Sequence, residues 1–177
     1  QVVPKGVDAL EPVRLVRPEL SGEIGRRLED LIRWFDSLMR LEGDLRYGDI
    51  MARRVYNALF AAQDPAGRRL RYFTPFEGPR QYDGNDGFCC AGNYRRIVAE
   101  LPEMVYYRTR DGGVAVNLLT ESKKTIALDK GRNVTIEQQT GYPSSGQVSI
   151  RVSPPQPTEF PLRLRIPRWC SKATVRI

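Results

Sequence analysis

The sequence predicts an α+β protein in which a helical segment precedes an antiparallel β-sandwich. Between residues 21 and 62, apolar residues recur every three to four positions, as they do in amphipathic helices. Beyond residue 103 the apolar period falls to two, which is typical of half-buried strands. We therefore predict a helical domain over residues 1–103 and a sandwich domain over residues 104–177.

The first segment predicts two helices joined by a short turn. Ser21 can cap the first helix, and Gly43 follows its last apolar residues, where glycine commonly ends a helix. Asp44 can cap the second helix, which is predicted to extend to about residue 62. Two amphipathic helices joined in this way form an antiparallel hairpin.

A short strand, a loop and a third helix are predicted next, over residues 70–76, 77–88 and 92–101. The run Asp111-Gly112-Gly113 then separates two alternating segments and predicts a β-hairpin. Seven strands are predicted in all in the second domain, over residues 104–108, 114–119, 124–128, 133–139, 146–153, 160–166 and 173–177. Short strands at this spacing favour a sandwich.

The charge of the chain is positive but is spread along it. The formal net charge is +7, and acidic residues alternate with basic ones at helical spacing, as in Glu29/Arg33 and Asp36/Arg40. Such spacing is typical of solvated helix faces, so we predict no nucleic-acid partner. No apolar run is long enough to cross a bilayer, and we predict no membrane contact. A basic scaffold that binds acidic polymers stays open as an alternative.

An adjacent pair, Cys89-Cys90, is the most unusual local feature. Neighbouring Cα atoms lie about 3.8 Å apart, too close for a relaxed disulfide. The pair therefore suggests thiolate chemistry or a site for a soft metal, although two small buried apolar residues remain the alternative. Histidine is absent, so a metal would have sulfur and oxygen ligands, and an acid or base would be a carboxylate, thiol, tyrosine or lysine.

Several longer runs occur in a characteristic order. They are Glu42-Gly43-Asp44-Leu45-Arg46-Tyr47-Gly48-Asp49, Tyr56-Asn57-Ala58-Leu59, Arg71-Tyr72-Phe73-Thr74-Pro75-Phe76-Glu77-Gly78, Cys89-Cys90-Ala91-Gly92-Asn93, Val116-Asn117-Leu118, Thr140-Gly141-Tyr142-Pro143 and Phe160-Pro161-Leu162-Arg163-Leu164-Arg165-Ile166-Pro167-Arg168-Trp169-Cys170. Over about residues 22–177, the ordered set resembles glycoside hydrolase family 127, the bacterial β-L-arabinofuranosidase family.

The resemblance implies a fold and an activity. It implies the last helices of an (α/α)6-type barrel, followed by the first β-sandwich, in a chain that is truncated at both ends. It implies a carbohydrate substrate and cleavage of terminal β-L-arabinofuranosides, or related sugars, with retention of configuration. The family is bacterial, and the resemblance leaves the location open between cytoplasm and periplasm.

Site residues are implied by the same resemblance. Cys89 matches the nucleophile of the family, and Cys89 and Cys90 match two zinc ligands. Glu23 stands near the glutamate of a Glu-x-Cys motif that supplies further zinc ligands, and it is the third predicted ligand. This chain departs from the motif because it reads Glu23-Ile24-Gly25-Arg26 and has no cysteine there. No residue is assigned as the general acid/base.

The sequence also allows a second function and predicts which large side chains are exposed or packed. The chain is expected to be impaired as an isolated fragment, and a non-catalytic sandwich module that binds carbohydrate or a protein is the alternative function. Exposed apolar residues around Leu31, Trp34 and Leu38 predict self-association through the helix faces. One residue of the pair Tyr106-Tyr107 is expected to face the core, and Trp169 is expected to be packed.

Overall fold

The computed structural model describes residues 21–71, 81–82 and 89–177, with side chains from residue 30 onward in these ranges. Helix α1 spans Ser21–Glu42 and helix α2 spans Leu45–Arg54, which confirms the predicted pair. A π-helical turn, Val55–Leu59, and a 3₁₀ turn, Phe60–Ala62, continue α2. The predicted lead-in before residue 21 and most of the predicted segment over residues 72–88 lie outside the described residues.

The turn between α1 and α2 forms as its residues predict. Gly43 has a φ of +70°, a left-handed conformation that glycine adopts without strain, and its N–H donates to the Met39 carbonyl. The Asp44 side chain then accepts a hydrogen bond from the Arg46 backbone N–H at 2.8 Å, which caps α2. The third helix, α3, spans Cys89–Glu100, so it begins three residues before its predicted start.

Within the described ranges, six strands form two three-stranded sheets. They are β1 (Tyr106–Arg108), β2 (Val114–Val116), β3 (Ser122–Ala127), β4 (Asn133–Thr140), β5 (Val148–Ser153) and β6 (Leu162–Leu164), ordered β1-β2-β6 and β3-β4-β5. The predicted α+β class is confirmed. Strands β2 and β6 pair in parallel. The connection between them is long, as parallel pairing requires, and it contains all three strands of the second sheet. Residues 173–177 form no strand, so that prediction is wrong. The barrel arrangement and the boundary near residue 103 stay predictions.

Strand β1 lies between the helices and the second sheet, and this position buries both of its tyrosines. The Tyr106 hydroxyl lies 2.8 Å from Ser122 Oγ at the start of β3, whereas the Tyr107 hydroxyl donates to Asp36 Oδ1 of α1 at 2.7 Å. Burial and the Asp36 carboxylate both raise the pKa of Tyr107 above its usual range. The expectation that only one of this pair faces the core is therefore wrong, because the strand is covered on both faces.

One hydrophobic cluster joins the helices to both sheets. Its fully buried members are each at most 2% exposed. They come from the three helices, from the turns after α2 and α3, from strands β2 and β4, and from the segment between β2 and β3. They are Ile32, Met51, Val55, Leu59, Ile97, Met104, Val114, Val116, Leu118, Val134 and Ile136. The two predicted domains thus share one core in the described part of the chain.

Gly48 sets the distance between α2 and the sheet that contains β6. A Cβ atom at this position would overlap Asn117 Oδ1 and lie 2.8 Å from Cδ of Arg165, both of which are buried. We expect Gly48→Ala to lower the free energy of unfolding by about 2–3 kcal/mol, because overpacking forces these side chains out of place. Urea unfolding followed by circular dichroism measures the change.

Gly92 provides the matched control for this substitution. It also lies in a helix, α3, but among the described residues no atom outside its own helix backbone and chain neighbours lies within 4 Å of a Cβ built there. Gly92→Ala is therefore expected to leave stability unchanged or raise it by up to about 1 kcal/mol. Equal stabilities for the two alanine variants would show that Gly48 is not required for close packing.

The helix surface exposes several large apolar side chains. Trp34 is 59% exposed and Leu41 is 67% exposed, whereas Leu31 and Leu38 are half-buried. Self-association through these faces stays a prediction that light scattering would test. Among the helices of the described ranges, none has both the length and the apolar character needed to cross a bilayer.

Candidate functional site

The two adjacent cysteines begin helix α3. Cys89 is its first residue and is exposed, whereas Cys90 is buried with 8% of its surface exposed. The backbone N–H groups of a first helical turn have no partners within the helix, and the helix dipole places positive potential there. No disulfide involves any of the three cysteines.

Helix α3 is held in place at three points. Ile97 is fully buried in the shared core, and the Tyr94 hydroxyl donates to Gln63 Oε1 at 2.8 Å. At the other end of α3, Arg33 of α1 donates to both carboxylate oxygens of Glu100, at 2.8 and 3.0 Å. The Arg33 guanidinium lowers the pKa of Glu100, so this ion pair is formed at neutral pH. These contacts fix the position of the helix that carries the exposed thiol.

The turn after α2 contains arginines, and the hydrogen bond from Tyr94 to Gln63 connects this turn to α3. The guanidinium groups of Arg71 and Arg69 lie 4.3 and 5.5 Å from the ring centre of Tyr82, and Arg71 also donates to the Tyr82 hydroxyl. Within the described residues, Nε of Arg71 is buried without a hydrogen-bond partner. The turn thus adds positive charge to the side of the molecule that carries the Gln63–Tyr94 contact.

A complete zinc site is not formed by the described side chains. Residues 30–71, 81–82 and 89–177 contain no cluster of three or more cysteine, histidine or acidic side chains able to hold a metal. Glu23 lies in the first turn of α1, but its side chain is outside the description. Cys89 and Cys90 are two sulfur donors, and a tetrahedral zinc needs four ligands. The described donors alone therefore do not fit a closed zinc site.

A second feature, which the sequence did not reveal as a site, is a groove of about 930 Å³ beside α2. The rings of Tyr142 and Trp169 lie on one side, with their centres 6.4 Å apart and their planes 16° from parallel. Trp169 is 66% exposed, so the expectation that it is packed is wrong. The rings of Tyr56 and Tyr142 form an edge-to-face pair with their centres 5.2 Å apart. Burial raises the pKa of Tyr56 to about 12.

A buried ion pair crosses between α2 and the end of the sheet at this groove. Arg165 is 2% exposed, and it donates to Asp49 Oδ1 and to the Asn117 carbonyl oxygen, at 2.7 Å in both cases. The Arg168 backbone N–H also points to Asp49 Oδ1, at 3.4 Å. Both residues lie in runs that the sequence analysis lists, but Asp49 and Arg165 are 116 positions apart, so no sequence pattern predicts their contact.

Comparison with family models gives two matches. The catalytic domain described as "Beta-L-arabinofuranosidase, GH127 catalytic domain" matches residues 30–103. The domain described as "Beta-L-arabinofuranosidase, GH127 middle domain" matches residues 113–177. Together the two models of one family match most of the chain. No curated protein matches this sequence.

Two solved structures share the fold of this chain. A GH127 β-L-arabinofuranosidase from Geobacillus stearothermophilus T6 is 32% identical, with a TM-score of 0.72 over 81% of this chain. A second structure, described only as a glycoside hydrolase, is 20% identical with a TM-score of 0.71 over 84% of this chain, and it supports the fold alone. The chain covers 25% and 26% of the lengths of these two structures.

Proposed function

Since this chain belongs to glycoside hydrolase family 127, we propose that it carries the nucleophile of a retaining glycosidase for terminal β-L-arabinofuranosides or related sugars. The position of Cys89 carries the proposal. Its side chain is exposed at the first residue of α3, whereas Cys90 beside it is buried. One thiol of the pair is thus accessible to a substrate, in the first turn of a helix whose dipole places positive potential there.

The proposed reaction has two steps. The Cys89 thiolate attacks the anomeric carbon, the bond to the leaving oxygen breaks, and the departing alcohol takes a proton from an acid that is not assigned. Water then attacks the same carbon, the sulfur leaves as thiolate, and a base takes the proton of the water. Two displacements at one carbon return the original configuration.

Cys90 and the contacts of α3 have a positioning role in this proposal. Cys90, Tyr94 and Ile97 are buried on one side of the helix, and the Arg33–Glu100 ion pair fixes its far end. A nucleophile gains rate when its position relative to the reacting carbon is fixed in advance. The fixed helix therefore contributes by orienting the Sγ atom of Cys89 rather than by contacting the sugar.

Zinc is a separate part of the proposal. Cys89, Cys90 and Glu23 are its proposed ligands, and a bound zinc ion would keep the thiols ionised. The test is elemental analysis of purified protein after dialysis against a zinc-free buffer. About one zinc per chain is expected, with a clear loss in Cys90→Ser and none in Cys170→Ser. A chain without metal that still forms the covalent intermediate would contradict this part alone.

The covalent intermediate is the direct test of the nucleophile. An enzyme of full family length that carries this sequence is mixed with an aryl β-L-arabinofuranoside, quenched with acid and digested. We expect the peptide that contains Cys89 to gain the mass of one dehydrated pentose, and the peptide that contains Cys170 to stay unmodified. Product of inverted configuration, or a sugar on another residue, would overturn the proposal.

A non-catalytic binding module is the second candidate function. One observation favours it, namely that the sequence reads Glu23-Ile24-Gly25-Arg26, without a cysteine, where the family resemblance implies Glu-x-Cys. Under this alternative the chain binds sugar without forming a covalent adduct and contains no zinc. Sugar binding by Cys89→Ser protein, together with no turnover by the unsubstituted enzyme, would support the module and reject the glycosidase.

A further inference from the structure

We propose that the groove beside α2 is a binding subsite for a sugar that bears a carboxylate, such as a uronic acid residue. The choice of a sugar rests on the proposed function, whereas the choice of a negative charge rests on the arginines of the groove. The groove has a volume of about 930 Å³, within the usual range for ligand sites. Neither Cys89 nor Cys90 lines it.

The charges that line the groove are unbalanced. Four arginines, Arg46, Arg53, Arg165 and Arg168, line the groove, and Asp49 is its sole acidic residue among those described. Arg46 pairs with Asp44 at 2.7 Å and Arg165 pairs with Asp49 at 2.7 Å. In the described part of the chain, no carboxylate lies within ion-pair distance of Arg53 or of the Arg168 guanidinium. These two guanidinium groups thus have no direct ion-pair partner, although Arg168 acts from a longer distance on Asp44 and helps to lower its pKa.

One residue that lines the groove, Arg165, also has a buried donor without a partner. Arg165 uses Nε and one terminal nitrogen in hydrogen bonds, but its other terminal nitrogen, Nη2, is buried without a partner among the described residues. An unsatisfied buried donor is costly, and a planar guanidinium binds carboxylates through parallel N–H bonds. The Asp49 carboxylate is already engaged by Arg165, so its repulsion of an incoming anion is weakened.

Aromatic rings supply the other half of a sugar site. Trp169 and Tyr142 present nearly parallel rings, and Trp169 exposes 66% of its surface. Such rings offer a flat apolar face on which the C–H side of a sugar ring can lie, with polar groups at the rim for its substituents. An exposed tryptophan beside two arginines that form no direct ion pair fits a ring with a carboxylate better than a neutral or purely apolar ligand.

A second groove in the molecule shows the contrast. This groove, of about 980 Å³, lies between the end of α1 and the sheets and also has basic side chains. There the basic groups already have partners, as in Lys124–Glu103 at 2.9 Å, Arg108–Asp129 at 2.7 Å and Arg110 to the Leu41 carbonyl oxygen at 2.9 Å. It also has no tryptophan. Of these two grooves, only the one beside α2 has both arginines without an ion-pair partner and a pair of stacked aromatic rings.

Trp169 can report on binding directly. The chain has two tryptophans, and Trp34→Phe, a change at an exposed position, leaves Trp169 as the sole one. In this variant we expect trigalacturonate to change the tryptophan fluorescence saturably. The fully methyl-esterified trimer and triglutamate are expected to bind at least about tenfold more weakly, because the first lacks charge and the second lacks sugar rings. Each probe is titrated at fixed ionic strength.

Matched variants show whether the groove itself binds the probe. Arg168→Gln in the Trp34→Phe background should weaken binding at least about tenfold, whereas Arg68→Gln, at an exposed position of the turn after α2, should not. Equal losses in the two variants would mean non-specific charge attraction and overturn the subsite. Equal affinity for the methyl ester, or for triglutamate, would overturn it as well.

A further variant separates this inference from the proposed catalysis. Cys89→Ser added to Trp34→Phe should bind trigalacturonate with unchanged affinity, because Cys89 does not line the groove. If the full-length enzyme that retains Cys89 forms no covalent adduct while Trp169 still responds to trigalacturonate, the nucleophile is rejected and the subsite is kept. An adduct on Cys89 without any response of Trp169 would keep the nucleophile and reject the subsite.

Discussion

Cys89→Ser is expected to lower kcat by at least about a thousandfold in an enzyme of full family length that carries this sequence. A serine hydroxyl is un-ionised at neutral pH, and residues 1–177 supply no histidine that could act as its base. The thiolate that replaces the leaving alcohol would be absent, so the first displacement would fail. Initial rates with an aryl β-L-arabinofuranoside measure the effect.

Cys170→Ser is the matched control for this substitution. Cys170 is half-buried, and its thiol donates to the Lys172 carbonyl oxygen at 3.3 Å, a bond that a hydroxyl can also make. Its activity should stay within about twofold of the unsubstituted enzyme, as expected for a residue outside the site. If Cys89→Ser kept a tenth or more of the activity while Cys170→Ser kept all of it, Cys89 would not be the nucleophile.

Asp49→Asn is expected to lower the free energy of unfolding by about 3 kcal/mol. The Arg165 guanidinium is 2% exposed, so the loss of its partner leaves a charge that neither water nor protein compensates. The effect exceeds that of a surface pair because the desolvation of Arg165 remains after its carboxylate is removed. Urea unfolding followed by circular dichroism, with a check that the denaturant slope is unchanged, measures it.

Asp129→Asn serves as the comparison for Asp49→Asn. The Arg108–Asp129 pair has the same 2.7 Å separation, but its side chains are 56% and 54% exposed, so less than about 1 kcal/mol should be lost. Adding Arg165→Met to Asp49→Asn should restore most of the stability, because the uncompensated charge is then gone. Similar losses for the two asparagine variants, or no recovery in the double variant, would contradict a buried and mutually dependent pair.

Short-range patterns predicted the helices and most of the strands. Asp44 caps α2 as expected, and strand β4 alternates between buried positions such as Val134 and Ile136 and more exposed ones between them. These features depend on hydrogen bonds and solvent contacts within a few residues of each other, so the sequence contains the information directly. The run that begins at Cys89 also identified the candidate nucleophile, although its helix begins earlier than predicted.

The adjacent tyrosines illustrate what an alternating pattern cannot reveal. Tyr106 and Tyr107 point to opposite faces of β1, and alternation alone predicted one buried ring. The structure covers both faces, with Asp36 of α1 on one side and Ser122 of β3 on the other. Which layers cover a strand is a property of the assembled fold, because it depends on segments that are distant in the chain.

The sequence by itself determined the α+β class, the family resemblance and the adjacent thiols, because each depends on residue types at short and regular spacing. Tertiary structure alone decided that one thiol of the pair is exposed and the other buried. It also decided that Asp49 meets Arg165 across 116 positions and that Trp169 and Tyr142 line one groove. Contacts of this kind follow from how helices and sheets pack, and the free energy of packing depends on all of their neighbours at once.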